Sequence, residues 1–267
     1  MQKQILDSSV SRNRSLTCTA SSKRKMSRQK ITAWISVGST YTYLTAMRMK
    51  SMLQEYNLQL KFVPISIRKI MRDMDNIPFP PSKESKVRHM WRDIERRAEF
   101  YGLPIPKVPV PYPLKKFDLA NQIGIVANTE GWFLEYLETT YSLWFLEGLE
   151  AGSDQNLRQV FSLLDKDARN VISKATMDST IQIYEQNTEL ASSRGVFGVP
   201  TFSIGEEIFW GDDRLEDAIK FLNKSQPYSY IQAAVARNNS VILEKRKGTQ
   251  DMLRSIKKNK NISNGVL

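Results

Sequence analysis

The sequence predicts an α/β domain in which two strand-bearing segments, one toward each end of the chain, are separated by a long helical insert. Three observations carry that expectation. A β-rich run at residues 31–37 is followed by a glycine turn and a helical pattern. A strand–turn–strand–helix unit fills residues 201–222. Four long segments between them have apolar residues at helical spacing.

Residues 31–37, Ile-Thr-Ala-Trp-Ile-Ser-Val, are rich in β-branched and aromatic side chains and read as the first strand. Gly38-Ser39-Thr40 breaks it, and Tyr43, Leu44, Met47 and Leu53 then recur at near-helical spacing as far as Tyr56. Ser39 therefore falls at or next to a helix N-cap, a position serine occupies for capping alone far more often than for chemistry. Pro64 ends a second strand, and the proline-rich residues 77–82 lead into the insert. Residues 84–101, 131–150, 155–164 and 168–192 read as helices, and the proline-dense residues 104–113 as a loop. The aromatic stripe from Trp132 to Phe145 reads as core or as a dimer face, with a pocket wall as the minority reading. Residues 201–204 and 208–210 are short strands separated by Gly205-Glu206, and Leu215 to Leu222 restores a helix with Asp212 or Asp213 at its N-cap. The resulting division is a basic leader (1–30), an N-terminal half (31–80), a helical insertion (81–192), a C-terminal half (193–224) and a basic extension (225–267).

The 267 residues carry a formal charge of +11. Residues 1–30 hold eight basic side chains against Asp7, and residues 224–267 hold nine against Glu244 and Asp251, so the flanks carry +14 and the middle −3. A mildly acidic core argues against specific nucleic-acid binding, which needs a basic folded face. No apolar run approaches a membrane span. The Ser- and Arg-rich leader fits two readings: a mitochondrial transit peptide, or residues upstream of a true start at Met26. Without a secretory h-region the expected compartment is cytoplasmic, or the mitochondrial matrix on the first reading.

The single cysteine, Cys18, lies in the leader, so disulfide exchange by a resident pair is excluded. His89 is also alone, expected half-buried beside Met90 and Ile94, and no His/Cys cluster suggests a metal. Gly-x-Ser-x-Gly, Walker and Gly-x-Gly-x-x-Gly signatures are all missing, which argues against hydrolase, ATP and NAD chemistry.

Val199-Pro200-Thr201-Phe202 resembles the approach to the third strand of a thioredoxin-like sheet, where the bond before the proline is usually cis. On that resemblance Val199 would offer its N–H and C=O to the cysteinyl part of a peptide ligand, as an added strand would. Ser39-Thr40-Tyr41-Thr42 then stands where a thioredoxin carries Cys-x-x-Cys. Four ordered blocks narrow the resemblance: residues 39–44 (Ser-Thr-Tyr-Thr-Tyr-Leu), 86–98, 101–104 (Tyr-Gly-Leu-Pro), and 196–202 with 209–215. Together, over roughly residues 30–223, they resemble the 2-hydroxychromene-2-carboxylate isomerase family, kin of kappa-class glutathione transferases. The departures are Thr40 for a proline, Ser36 for an acidic residue, His89 for an aromatic, and Lys115-Lys116 where asparagine is common near the substrate end of the pocket.

The resemblance implies a thioredoxin-like fold split by an α-helical insertion, glutathione as cofactor, a small aromatic or unsaturated acid as substrate, and a homodimer. Carried over by position, Ser39 is the catalytic residue that stabilises the glutathione sulfur, and Asn76 of Asp75-Asn-Ile-Pro78 faces the same pocket. Val199 and Pro200 bind the peptide backbone, and Asp212 and Asp213 receive the γ-glutamyl end, Asp213 taking the ammonium. The implied chemistry is thiolate addition to a carbon–carbon double bond, rotation, and elimination. A kappa-like transferase and a catalytically silent thioredoxin-like adaptor are the alternatives.

Overall fold

The computed structural model of the chain describes residues 30–225 apart from Pro78 and Pro81. The expectations for the leader, with Cys18 and Met26, and for the extension after residue 225 lie outside the described residues.

Strand β1 (Ile31–Ile35) leads to helix α1 (Thr42–Glu55) and back to β2 (Leu60–Pro64), which pairs parallel with β1. After the insert, β3 (Thr201–Ile204) pairs antiparallel with β1, and β4 (Glu207–Trp210) with β3, giving the sheet order β2-β1-β3-β4. The strand patterns follow from these places. β3 is buried along its whole length and β1 nearly so, because both are interior strands. The edge strand β4 exposes Glu207 and Trp210. Helix α9 (Leu215–Ser225) packs over β3 and β1 and closes the second half.

Between the halves run α2 (Ile67–Asp73), α3 (Glu84–Phe100), α4 (Phe117–Glu130), α5 (Phe133–Glu147), α6 (Asp154–Leu163), α7 (Ala168–Ala175) and α8 (Asp178–Ser193). Three of these depart from the sequence reading, and α2, seven residues long, is too short for helical spacing to register. Helix α4 had no counterpart in that reading, because Phe117, Ala120, Ile123, Gly124, Ile125, Val126 and Ala127 are all buried and leave little apolar/polar alternation to detect. The helix read over 168–192 is two helices. Met177 is extended (φ −67°, ψ 143°), and Thr180 Oγ1 donates to the Lys174 carbonyl at 2.7 Å, satisfying a group that a continuous helix would have paired.

The aromatic stripe of α5 is core. Tyr136, Tyr141, Trp144 and Phe145 are completely buried, each contributing about 2–3 kcal/mol of transfer free energy. Tyr43 of α1 stacks on Phe145 with centroids 4.4 Å apart, tying the insertion to the first half. His89 is exposed on α3 while Met90 and Ile94 are buried, so the expected half-burial is corrected: it sits on the solvent side of the helix.

Candidate active site

Antiparallel pairing decides where the site forms. The C-terminal end of β1 and the N-terminal end of β3 lie side by side, with Trp34 opposite Thr201. Strand β4 returns to the same end, with Trp210 opposite Thr201 and the Gly211 N–H donating to the Pro200 carbonyl at 3.0 Å. The Gly38–Thr40 turn, Val199-Pro200 and Asp212-Asp213 therefore meet at one end of the sheet, although about 160 residues of sequence separate the first from the second.

Ser39 is half-buried, and its hydroxyl donates to the Val199 carbonyl at 3.0 Å. The Val199–Pro200 peptide is cis. Helix α1 starts at Thr42 with Tyr41 at its N-cap, so Ser39 lies two residues upstream of the cap. Its carbonyl accepts from the Thr42 N–H at 3.3 Å in a tight lead-in turn. Among the described residues, the backbone N–H groups of Thr40, Tyr41 and Val199 have no hydrogen-bond partner. Three free donors thus lie within the two short segments that the Ser39–Val199 contact brings together. Thr42, in the second cysteine's place, is fully buried.

The insertion holds this turn from beneath. Asn121 of α4 accepts from the Val37 N–H at 2.7 Å and from Ser36 Oγ at 3.3 Å, and donates to the carbonyls of Val37 and Phe117, both at 2.9 Å. Tyr141 of α5 donates to the Ser39 carbonyl at 2.8 Å and accepts from the Gly38 N–H at 3.2 Å. Burial pushes the Tyr141 phenol up, so it stays a donor. Gly38 has φ 116°, and a Cβ there would lie 2.7 Å from Phe117 Cδ2, so the position requires glycine twice over. Thr40 Oγ1 reaches Met90 Sδ of α3 at 3.1 Å.

The other flank is ionic. Helix α9 begins at Leu215, so neither aspartate caps it, which corrects the expectation of an N-cap at Asp212 or Asp213. Asp212 is instead 5% exposed, and its Oδ2 accepts from Arg97 Nη2 at 2.8 Å and Nε at 3.2 Å. Burial lifts the Asp212 carboxyl to about 6, against the lowering influence of Arg97, while the carboxylates around Arg97 push that guanidinium up. Arg48 donates to the Asp212 carbonyl at 3.3 Å, pairs with Glu216, and lies 3.7 Å over the Tyr101 ring. Asp213 remains partly open, 3.7 Å from both Arg97 and Arg214.

Asn76 is exposed in the loop after α2, its N–H donating to the Met71 carbonyl at 2.8 Å; no described contact joins it to Ser39, Val199 or Asp212. Lys115 and Lys116 are exposed, and Lys116 is paired with Asp154 at 2.6 Å. Arg48, Arg97, Asn121 and Tyr141 had gone unassigned. Arg97 and Tyr101 stood inside quoted motif blocks, four residues apart on one helix face, and a guanidinium facing two aspartates was the signal available.

Residues 30–223 match the DsbA-like thioredoxin domain family. The chain belongs to that family. Within it, the chain is 25% identical over 179 residues to a 2-hydroxychromene-2-carboxylate isomerase of Pseudomonas putida, covering 66% of this chain and 86% of the relative. It is 23% identical over 181 residues to the Sphingobium xenophagum enzyme of the same name, covering 67% of this chain and 90% of that one. A solved 2-hydroxychromene-2-carboxylate isomerase superposes with TM-score 0.63 at 21% identity, over 79% of this chain and 98% of that one. A probable DsbA oxidoreductase of Streptomyces coelicolor gives 0.56 at 14% identity, over 74% and 91%. The fold likeness to that protein is one of architecture, and among the described residues this chain has no cysteine. Among the described residues no helix is long and apolar enough to cross a membrane.

Proposed function

We propose that this DsbA-like protein is a glutathione-dependent isomerase acting on a small aromatic or unsaturated carboxylic acid of the 2-hydroxychromene-2-carboxylate kind. The observation that carries the reading is the contact between Ser39 Oγ and the Val199 carbonyl, in two segments where the N–H groups of Thr40, Tyr41 and Val199 have no partner among the described residues. Free N–H donors ahead of a helix start suit an anion brought by a ligand. Glutathione, when bound, supplies a sulfur nucleophile whose reversible addition makes a double bond single and free to rotate.

The residues of this chain then have separable tasks. Val199 presents its N–H to a peptide backbone, in the manner of strand addition. Ser39, turning its hydroxyl from the Val199 carbonyl, donates to the sulfur. With the N–H groups of Thr40 and Tyr41 it favours the thiolate over the thiol, whose ordinary pKa of about 8.5 leaves only a few per cent ionised at neutral pH. Each donor contributes about a kcal/mol. The open Asp213 carboxylate receives an ammonium. Arg97, already drawn to Asp212, leaves Asp213 only loosely engaged.

The test is the absorbance change of 2-hydroxychromene-2-carboxylate with and without reduced glutathione. Turnover should require the thiol, and Ser39→Ala should lose about 100-fold or more in kcat with its thermal transition kept. Turnover indifferent to glutathione, or a fully active Ser39→Ala, sinks the reading.

A further inference from the structure

The lysines that the sequence placed near the substrate are spent on the surface, but a different cation lies under the same turn. Arg68, in the first turn of α2, is half-buried and makes one hydrogen bond, from Nη2 to the Leu114 carbonyl at 2.8 Å. Its guanidinium lies 4.1 Å over the Phe117 ring. The Cδ2–Cε2 edge of that ring packs on Gly38, with Phe117 Cδ2 2.7 Å and Leu114 Cδ1 3.2 Å from where a Cβ would be. One aromatic ring therefore separates the Arg68 guanidinium from the residue preceding Ser39.

Among the described residues Arg68 has no ion pair, and its Nε and Nη1 donate to nothing. Tyr112, Asp118, Tyr184 and Arg72 act on it electrostatically, and the one carboxylate among them, Asp118, accepts from the Tyr184 hydroxyl at 3.3 Å and makes no ion pair with Arg68. Half-burial of an uncompensated cation costs free energy, and burial accordingly pulls the Arg68 pKa down, yet an arginine stays charged. Every other arginine built into this end of the domain is neutralised: Arg97 by Asp212 and Arg48 by Glu216. Phe117 is itself buried, so it holds the guanidinium plane in place, and the open fork matches the carboxylate of a ligand.

We infer that Arg68, backed by Phe117, is the anchor for the carboxylate of the substrate. The inference rests on the isomerase reading for its substrate class and deepens it. The anchor stands on different elements from Val199 and Asp213, so glutathione and the aromatic acid are held separately.

The probe is trans-2-hydroxycinnamate, titrated calorimetrically into the full chain beside its methyl ester and reduced glutathione. Wild type should bind the acid about tenfold or more tightly than the ester. Arg68→Gln should weaken the acid about tenfold and leave the ester and glutathione unchanged. Arg68→Lys should weaken the acid severalfold, since an ammonium cannot reproduce the fork; it decides the matter if the glutamine variant does not fold. Lys116→Gln should change nothing. Acid affinity unchanged in the Arg68 variants, no preference of wild type for the acid over the ester, or a loss falling on glutathione instead each overturns the anchor. If the acid binds through Arg68 but no glutathione-dependent turnover is found, the anchor stands and the isomerase reading falls.

Discussion

The two flanks of the site are held by opposite physics. The Ser39 turn rests on neutral groups in a dry interior: Asn121 and Tyr141 satisfy Val37, Gly38 and Ser39 with no charge involved. The Asp212 flank rests on ions, with Arg97 and Arg48 converging on one loop. Neutral buried hydrogen bonds respond little to pH or salt, whereas a partly desolvated carboxylate responds to both. The hydroxyl that needs fixed geometry sits on the first kind of support, and the loop that must receive a charged ligand sits on the second.

That contrast can be broken most severely at Asn121. Asn121→Ala should cost about 3–4 kcal/mol in urea unfolding, because the Val37 N–H and carbonyl would be left unpaired where water does not reach. A loss under about 0.5 kcal/mol would mean that the turn is held some other way.

The ionic flank should show itself in pH dependence. The Asp212 carboxyl is raised from 3.8 to about 6 on folding, so below about pH 4 both folded and unfolded states hold the proton and its contribution to stability is fully present. As pH rises through 6 the folded state gives up the proton and that contribution is lost. Stability should therefore fall by about 2–3 kcal/mol between pH 4 and pH 6 from this group, and Asp212→Asn should flatten the slope. Urea midpoints across that window measure it, and an unaltered slope in the variant places the titration elsewhere.

Tyr141→Phe is the finest probe. It keeps the ring in the α5 core and removes only the hydroxyl between the Ser39 carbonyl and the Gly38 N–H, which should cost about 1–2 kcal/mol without adding pH dependence. A pH-dependent loss in this variant would erase the distinction between the flanks.

Legibility followed the same division. The strand-ending Pro64, the Gly38-Ser39 turn, the β3–β4 hairpin and the amphipathic α3 all carry short-range signals, and the structure places each where the sequence does. Helix α4 carries only a weak one, since most of its turns are buried and Asp118 and Gln122 barely interrupt them, yet it supplies Asn121 and Phe117. The two aspartates were visible, but their roles depend on Arg97, more than a hundred residues away, which turns one carboxylate into a buried partner and leaves the other open. Lys115 and Lys116 show the converse: charge was legible, and burial was not.

By itself the sequence determined the split α/β plan, the lack of a thiol pair at the turn, and the segments that form the site, because periodicity, turn chemistry and residue type are local properties. Only the tertiary structure decided which charges are neutralised, which N–H groups remain unpaired, and that Arg68 lies one ring from Gly38. Those depend on distances between residues remote in sequence, and desolvation and pairing energies are set by those distances alone.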